Sequence, residues 1–379
     1  MQEYGLPTKP GSAGLLIPLA LAALTACAQP KAVGGPVAVN VSARSATVVW
    51  IVESDRATLR PPAGDPVKTS PSLKVEKTTF RNLQPNTRYQ YDLGADGSKG
   101  SFKTPPASGE PFRFVVYGDN RTRHDAHRLV IERVLKNGVP DFVIQTGDMV
   151  EDGADSSLWP IFFDIEKDLL RQTAIFPALG NHEANTPNFY EFFQAAKPYY
   201  SFDWGNAHFS VIDSDIANVS ASQIARDAFW TQQTRWLEED LAASLKADYR
   251  FVVAHHAPFS ALKIRQGASP HMNALLPLLE KYRVSAGLFG HDHNYQRYSK
   301  NGIQYVIAGG GGAPLYTVNE PDPAATLQKA VSVENFVSIA VNGKVARVQA
   351  IAVDGSKLDE FEIVGQAILS PATILPPAK

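Results

Sequence analysis

Five short polar clusters hold most of the candidate chemistry in this chain. They are Gly118-Asp119-Asn120-Arg121, Gly147-Asp148-Met149-Val150-Glu151, Gly180-Asn181-His182-Glu183, His255-His256-Ala257-Pro258 and Gly290-His291-Asp292-His293. Each follows a short apolar run, and glycine before the polar residues lets the backbone turn sharply out of a sheet. Carboxylate, amide and imidazole donors together suit zinc, iron or manganese. Two cations about 3.5–4 Å apart repel each other strongly, so a pair needs a carboxylate shared between them. One Gly-Asp alone is ordinarily a turn, and one His alone is ordinarily a buried, hydrogen-bonded residue. Five such clusters in order, each after an apolar run, are not accounted for by turns.

The apolar runs are strands of an alternating pattern. Phe112 to Tyr117, Asp141 to Gln145, Ala174 to Ala178, Phe251 to Ala254 and Ala286 to Phe289 read as buried strands. Helical periods fall at Asp125 to Lys136, Leu158 to Arg171, Ala221 to Leu245 and Met272 to Tyr282. This rhythm predicts a mainly parallel α/β sheet. Ligands of such sheets sit beyond the carboxyl ends of the strands, so the five clusters are expected to converge. A strand-rich finish follows at Ile303 to Ala308, Val333 to Val341, Ala346 to Val353 and Glu360 to Val364. Before the catalytic segment, residues 31–105 carry β-type runs without helical period, which predicts a small all-β sandwich. Trp50 is expected to fill its core, and Pro105 to Gly109 reads as a linker.

Composition narrows the field. The 379 residues carry 36 Lys+Arg against 38 Asp+Glu, so no broad basic surface for nucleic acid is expected. The single Cys rules out an internal disulfide and any multi-cysteine metal site. That cysteine, Cys27, ends the segment GLLIPLALAALTAC, whose apolar run is too short to span a bilayer but suits a signal peptide. The segment resembles a bacterial lipobox. It implies a lipoprotein signal peptide over residues 1–26, lipidation at Cys27, and an exported, lipid-anchored protein of the cell envelope.

The ordered clusters resemble the calcineurin-like metallophosphoesterases, and most closely the purple acid phosphatase branch. Gly290-His291-Asp292-His293-Asn294-Tyr295-Gln296-Arg297 and Tyr200-Ser201-Phe202-Asp203 are the strongest local matches. The resemblance covers residues 31 to about 365. Leu83-Gln84-Pro85-Asn86-Thr87-Arg88-Tyr89-Gln90-Tyr91 resembles the fibronectin type III pattern, in which a Tyr hydroxyl bonds back to the backbone. The implied fold is a four-layer α/β/β/α sandwich over residues 112–365, preceded by a fibronectin III-like sandwich over 31–105 and followed by a loose tail, 366–379.

The resemblance also implies roles. Two divalent or trivalent ions (iron, zinc or manganese) are expected. Asp119 and His293 bind the first, Asp148 bridges both, and Asn181, His256 and His291 bind the second. The His-x-Pro spacing selects His256 over His255. His182 contacts the phosphate and protonates the leaving oxygen. The implied activity is hydrolysis of phosphate esters, foremost monoesters. A phosphodiesterase or nucleotidase, or a non-catalytic surface lipoprotein, remains as an alternative.

The chain departs from the family at the first ion. Arg121 stands where many members have a His, and Glu151 where the purple branch has its colour-giving Tyr. Glu151 is a substitute ligand or a solvent-facing loop acid. Arg121 is a phosphate clamp or a salt-bridge partner, and His255 is a further candidate phosphate contact. His124 and His127 are read as helix-surface residues, Gly309 to Gly312 as a tight loop at the site rim, and Trp236 and Leu237 as core.

Overall fold

The computed structural model describes residues 32–53, 58–59, 62–64, 67–68, 73–94 and 98–366. Cys27 and its apolar run, and the tail from residue 367, lie outside the described residues. The first strands are β1 (Ala32–Val39), β2 (Ser45–Glu53), β3 (Thr58–Leu59), β4 (Val67–Lys68), β5 (Leu73–Arg81), β6 (Arg88–Asp92) and β7 (Lys99–Lys103). The alternating region runs β8 (Phe112–Tyr117), α1 (His124–Lys136), β9 (Phe142–Gln145), α2 (Trp159–Leu170), β10 (Ala174–Pro177) and α3 (Pro187–Phe193). Next come β11 (Tyr200–Trp204), β12 (Ala207–Val211), α4 (Gln223–Ala243), β13 (Tyr249–Val253), α5 (Pro270–Ala274), α6 (Leu276–Lys281) and β14 (Ala286–Phe289). The chain closes with β15 (Tyr295–Lys300), β16 (Ile303–Ala308), β17 (Thr326–Val331), β18 (Asn335–Asn342), β19 (Val345–Ala352) and β20 (Lys357–Val364).

Two large sheets dominate. One has nine strands in the order β20-β19-β18-β8-β9-β10-β1-β2-β5; the other has seven, β11-β12-β13-β14-β16-β15-β17. Their central strands are mostly apolar because both faces are covered. On β8, Phe114 and Val116 enter the core between the sheets, while Val115 and Tyr117 pack toward α1 and α2. On β13, Phe251 and Val253 join the same inter-sheet core, while Val252 faces the cluster under α4, α5 and α6. Helices outside and sheets inside give the four-layer α/β/β/α sandwich that was expected.

The parallel neighbours β8, β9 and β10 run the same way, as do β12, β13 and β14. Asp119, Asp148 and Asn181 therefore leave one sheet at one end, and His255 and His291 leave the other sheet from β13 and β14.

The N-terminal strands are present as a β unit, but they are not walled off. Ala38 of β1 pairs in parallel with Ala174 of β10, so β1, β2 and β5 extend the nine-stranded sheet. Val37, Val39, Val49 and Ile51 share a core with Phe162 and Phe163 of α2. The hairpin β6–β7 is a separate two-stranded sheet whose Tyr91 and Phe102 reach the inter-sheet core. Trp50, expected to be buried, is only half-buried at the edge of that core.

Two further expectations change. The single helix expected over Met272 to Tyr282 is two, α5 and α6, meeting at Leu275. Pro277 lacks the amide hydrogen and its ring crowds the carbonyl four residues earlier, so one continuous helix is broken there. His127 is buried, not on the surface: its Nε2 lies 2.7 Å from Glu166 Oε1, and the Tyr117 hydroxyl donates to Glu166 Oε2 at 2.8 Å. His124 is exposed as expected.

Candidate metal centre

Three of the polar residues sit in backbone conformations that side chains rarely adopt. Asp119, Asp148 and His291 have φ of 59°, 57° and 68°. Left-handed backbone costs a non-glycine residue energy, and such strain gathers at functional sites. The preceding glycines serve a different purpose from the one expected. Of Gly118, Gly147, Gly180 and Gly290, only Gly147 has positive φ, at 97°. The others leave no room for a side chain. A Cβ on Gly118 would lie 2.2 Å from Thr146 Oγ1, on Gly180 2.3 Å from Asp148 Oδ1, and on Gly290 2.6 Å from Asp119 Oδ2. The segment Gly309 to Gly312 is likewise packed, lying beneath the Asp119 turn. Gly311 donates to the Gly118 carbonyl at 3.0 Å and Ala313 to the Asp119 carbonyl at 2.8 Å.

The structure gathers two sets of donor atoms. One is Asp119, Asp148 and His293; the other is His255, His256 and His291. In the first, His293 Nε2 lies 3.5 Å from Asp119 Oδ1, while its Nδ1–H donates to the Pro314 carbonyl at 2.7 Å. In the second, His255 Nδ1–H donates to the Thr146 carbonyl at 2.8 Å. That bond leaves the Nε2 lone pair free, 3.1 Å from Asn181 Oδ1, 3.4 Å from Asp148 Oδ1 and 3.2 Å from His291 Nδ1. Carbonyls that fix the far nitrogen of a histidine are the usual support of a metal ligand.

Both paired histidines join the second set, and their settings differ. His255, not His256, is fully buried and faces both Asp148 and the Asn181 amide oxygen. His256 keeps the same cluster, its ring 4.1 Å from that of His291, but its Nδ1 lies 3.0 Å from Ser214 Oγ. The first histidine continues the line of β13 inward, and the second also reaches Ser214.

Of the two readings of Glu151, the loop acid matches its setting. Its carboxylate is 49% exposed and pairs with Arg121 Nη1 at 2.5 Å. It joins neither donor set among the described residues. Arg121 is held between that carboxylate and Asp148, with Nε 3.5 Å from Asp148 Oδ2. Its salt-bridge reading is thus realised, and its guanidinium stands beside the first set. His182 lies at the same side. Its Nδ1–H donates to the Glu151 carbonyl at 2.6 Å, and Nε2 is 3.8 Å from Asp148 Oδ2.

The donor sets fit metal ions. Asp119 and Asp148 are both buried, and burial together with the Asp148 charge pushes the Asp119 carboxyl well above its usual range. Buried acids this close call for positive charge between them. The histidines are held neutral, as ligands must be. Burial pulls His255 down to about 3 and His293 to about 4, and holds His256 and His291 far below the ordinary imidazole range.

Sequence reasoning assigned no role to Glu183. This buried carboxylate accepts the backbone amides of Gly180, Asp148 and Met149, each at 2.8 Å. It locks the Asp148 and Asn181 turns to each other. Burial and the nearby Asp148 raise it to about 8. Its place within Gly180-Asn181-His182-Glu183 was the only signal. Arg265 and Tyr316, which stand over His291 and His293, had no local signal at all.

Residues 112–295 match the family model described as calcineurin-like phosphoesterase. The chain is similar to purple acid phosphatase 21 of Arabidopsis thaliana, 28% identical over 269 residues, covering 64% of this chain and 59% of that one. It is similar also to tartrate-resistant acid phosphatase type 5 of Sus scrofa, 27% identical over 261 residues, covering 58% of this chain and 74% of that one. Among solved structures, the purple acid phosphatase PPD1 from yellow lupin superposes with a TM-score of 0.68 at 19% identity, covering 87% of this chain and 74% of that one. That likeness establishes the fold. Residues 112–295 thus resemble calcineurin-like phosphoesterases, and the chain is similar in sequence to purple acid phosphatases. It spans about three-fifths of the length of the Arabidopsis relative.

Proposed function

We propose that this chain hydrolyses phosphate esters, foremost monoesters, with two metal ions. The observation that carries the reading is the position of Asp148. Its carboxylate is grouped with Asp119 and His293, and it also lies 3.4 Å from His255 of the second set. When bound, the ions would supply a water acidic enough to ionise near neutral pH and would neutralise charge on the phosphoryl oxygens. Asp119, Asp148 and His293 would hold one ion; Asp148, Asn181, His255 and His291 would hold the other, with His256 beside them.

The chain's own residues do the remainder. The Glu151 carbonyl fixes the proton of His182 on Nδ1, so Nε2 is the atom turned toward the substrate side of Asp148. A protonated Nε2 would pass its proton to the leaving oxygen. Arg121 keeps a guanidinium beside Asp148 without a metal-ligating role.

The test is hydrolysis of p-nitrophenyl phosphate by protein reconstituted with iron, zinc or manganese. The wild type should turn over and Asp148→Asn should lose more than about 100-fold, beyond the effect of an outer-shell partner. Absent turnover in the wild type, or an active Asp148→Asn, would overturn the reading.

Residues 31–105 belong in this proposal as a fibronectin III-like unit. Its support is the Gln84 amide donating to the Tyr89 hydroxyl at 2.8 Å, the backbone tie of that pattern. We place the protein in a bacterial cell envelope, held by a lipid on Cys27. The support is the sequence before that cysteine. Cys27→Ser should move the protein from the membrane to the soluble fraction; retention in the membrane would contradict the anchor.

A further inference from the structure

Arg265 is tied into the site by three contacts. Its Nη1 hydrogen-bonds His291 Nε2, its Nε lies 3.3 Å from Asp292 Oδ1, and its Cζ stands 5.1 Å from the centre of the Tyr316 ring. Tyr316 is itself stacked on His293, centroids 4.0 Å apart and planes 15° off parallel. The loops bearing the two residues are fastened together. The Asn319 amide donates to the Ala261 carbonyl at 3.0 Å, the Lys263 amide to Asn319 Oδ1 at 3.0 Å, and Lys263 Nζ meets Glu320 at 2.6 Å. Arg265 thus stands on a braced rim, over the second donor set. His182 and Arg121 stand at Asp148 and Glu151.

The contact to His291 cannot persist once His291 is a metal ligand. A neutral imidazole has one lone pair and one N–H. If Nε2 ligates, its lone pair is spent. If Nδ1 ligates, Nε2 carries the proton. In either case Nε2 no longer accepts from Arg265. The guanidinium keeps Asp292 and Tyr316 but loses an acceptor, and its freed N–H edge faces the centre. A phosphate oxygen is the matching acceptor.

We propose that Arg265 is the specificity-determining residue that makes this site prefer monoesters, by binding a terminal oxygen of the phosphoryl group. This rests on the phosphoesterase reading above. A monoester dianion has three terminal oxygens; two suffice for a pair of ions, and the third is left for Arg265. In a diester that oxygen carries a carbon substituent. It has lost its charge and brings bulk against a braced rim, so Arg265 repels what it would otherwise hold.

The test uses zinc-loaded full chain and the variants Arg265→Ala and Arg265→Lys, each with metal content confirmed equal to wild type. Inorganic phosphate and dimethyl phosphate are titrated by calorimetry. The ratio of kcat/KM for p-nitrophenyl phosphate over bis(p-nitrophenyl) phosphate is measured beside them. Arg265→Ala should weaken inorganic phosphate by about 10- to 100-fold, the range for a hydrogen bond to a charged group. Dimethyl phosphate should change little, and the monoester-to-diester ratio should fall by a similar factor. Arg265→Lys should recover part of the phosphate affinity. Unchanged phosphate affinity in Arg265→Ala, or an equal loss for both ligands, would overturn the assignment. If the wild type hydrolyses neither ester, the phosphoesterase reading fails, while the phosphate titration still decides Arg265.

Discussion

At the scale of single residues, the centre is built from groups that are each costly alone. Asp119 and Asp148 are buried acids in left-handed backbone, and the histidines around them are buried neutral. Glu183 holds three backbone amides of that arrangement in place. Glu183→Gln keeps the shape but gives up one acceptor oxygen. It should lower metal affinity about 10- to 100-fold, as loss of an outer-shell partner does. Competition with a graded chelator measures this, and unchanged affinity would show that the carboxylate is dispensable. The carboxylate of Glu151 beside Arg121 has a spectral consequence. Iron-loaded protein should lack the strong visible band of an iron–tyrosinate pair. A purple solution would mean that another tyrosine reaches the first ion.

At the scale of elements, His208 joins three pieces of the second sheet's outer edge. Its Nδ1 lies 2.7 Å from Asp203 on β11 and its Nε2 2.9 Å from Asp240 on α4, with His208 itself on β12. Ser201 and Ser210 add hydroxyl bonds to Asp240 at 2.6 and 2.7 Å. Burial opposes the charge, but the two carboxylates prevail and raise His208 to about 9. Because the folded value is above the unfolded one, near 6.5, the stabilisation is full below about 6.5 and is lost as pH rises through 9. It amounts to about 2–3 kcal/mol at most. The thermal midpoint of the wild type should fall between pH 7 and 10, and His208→Gln should show a flatter profile. Parallel profiles would place the pH dependence elsewhere.

Elements also show what the sequence could carry. Strands β8, β14 and β16 were legible to the residue because an apolar run covered on both faces has few other readings. The five clusters were legible because each follows such a run. The different settings of His255 and His256 were not, since they depend on how the chain leaves β13. Strands β11, β12, β15 and β17 were not distinguished, because polar residues interrupt each of them and leave no continuous apolar run. Arg265 and Tyr316 reach the site from loops whose position is set by their mutual hydrogen bonds, which no local pattern records.

At the scale of the whole molecule, the N-terminal strands complete the nine-stranded sheet. β1 pairs with β10, and Gly34 lies so close to α2 that a Cβ there would be 3.1 Å from Phe163 Cδ2. A chain beginning at residue 107 would leave the apolar face of α2 and the edge of β10 open. It should aggregate or bind a hydrophobic dye, with no cooperative thermal transition. A soluble fragment that melts cooperatively would mean that the N-terminal unit is an independent attachment.

The central claim is that two donor sets sharing Asp148 hold two ions. The most direct measurement is metal per chain, by mass spectrometry, after reconstituting residues 28–379 with iron, zinc and manganese and removing loose ions. The account predicts two ions in the wild type and fewer in Asp148→Asn. One ion or none in the wild type would contradict it, and would mean that Arg121 and Glu151 have closed the first set rather than stood beside it.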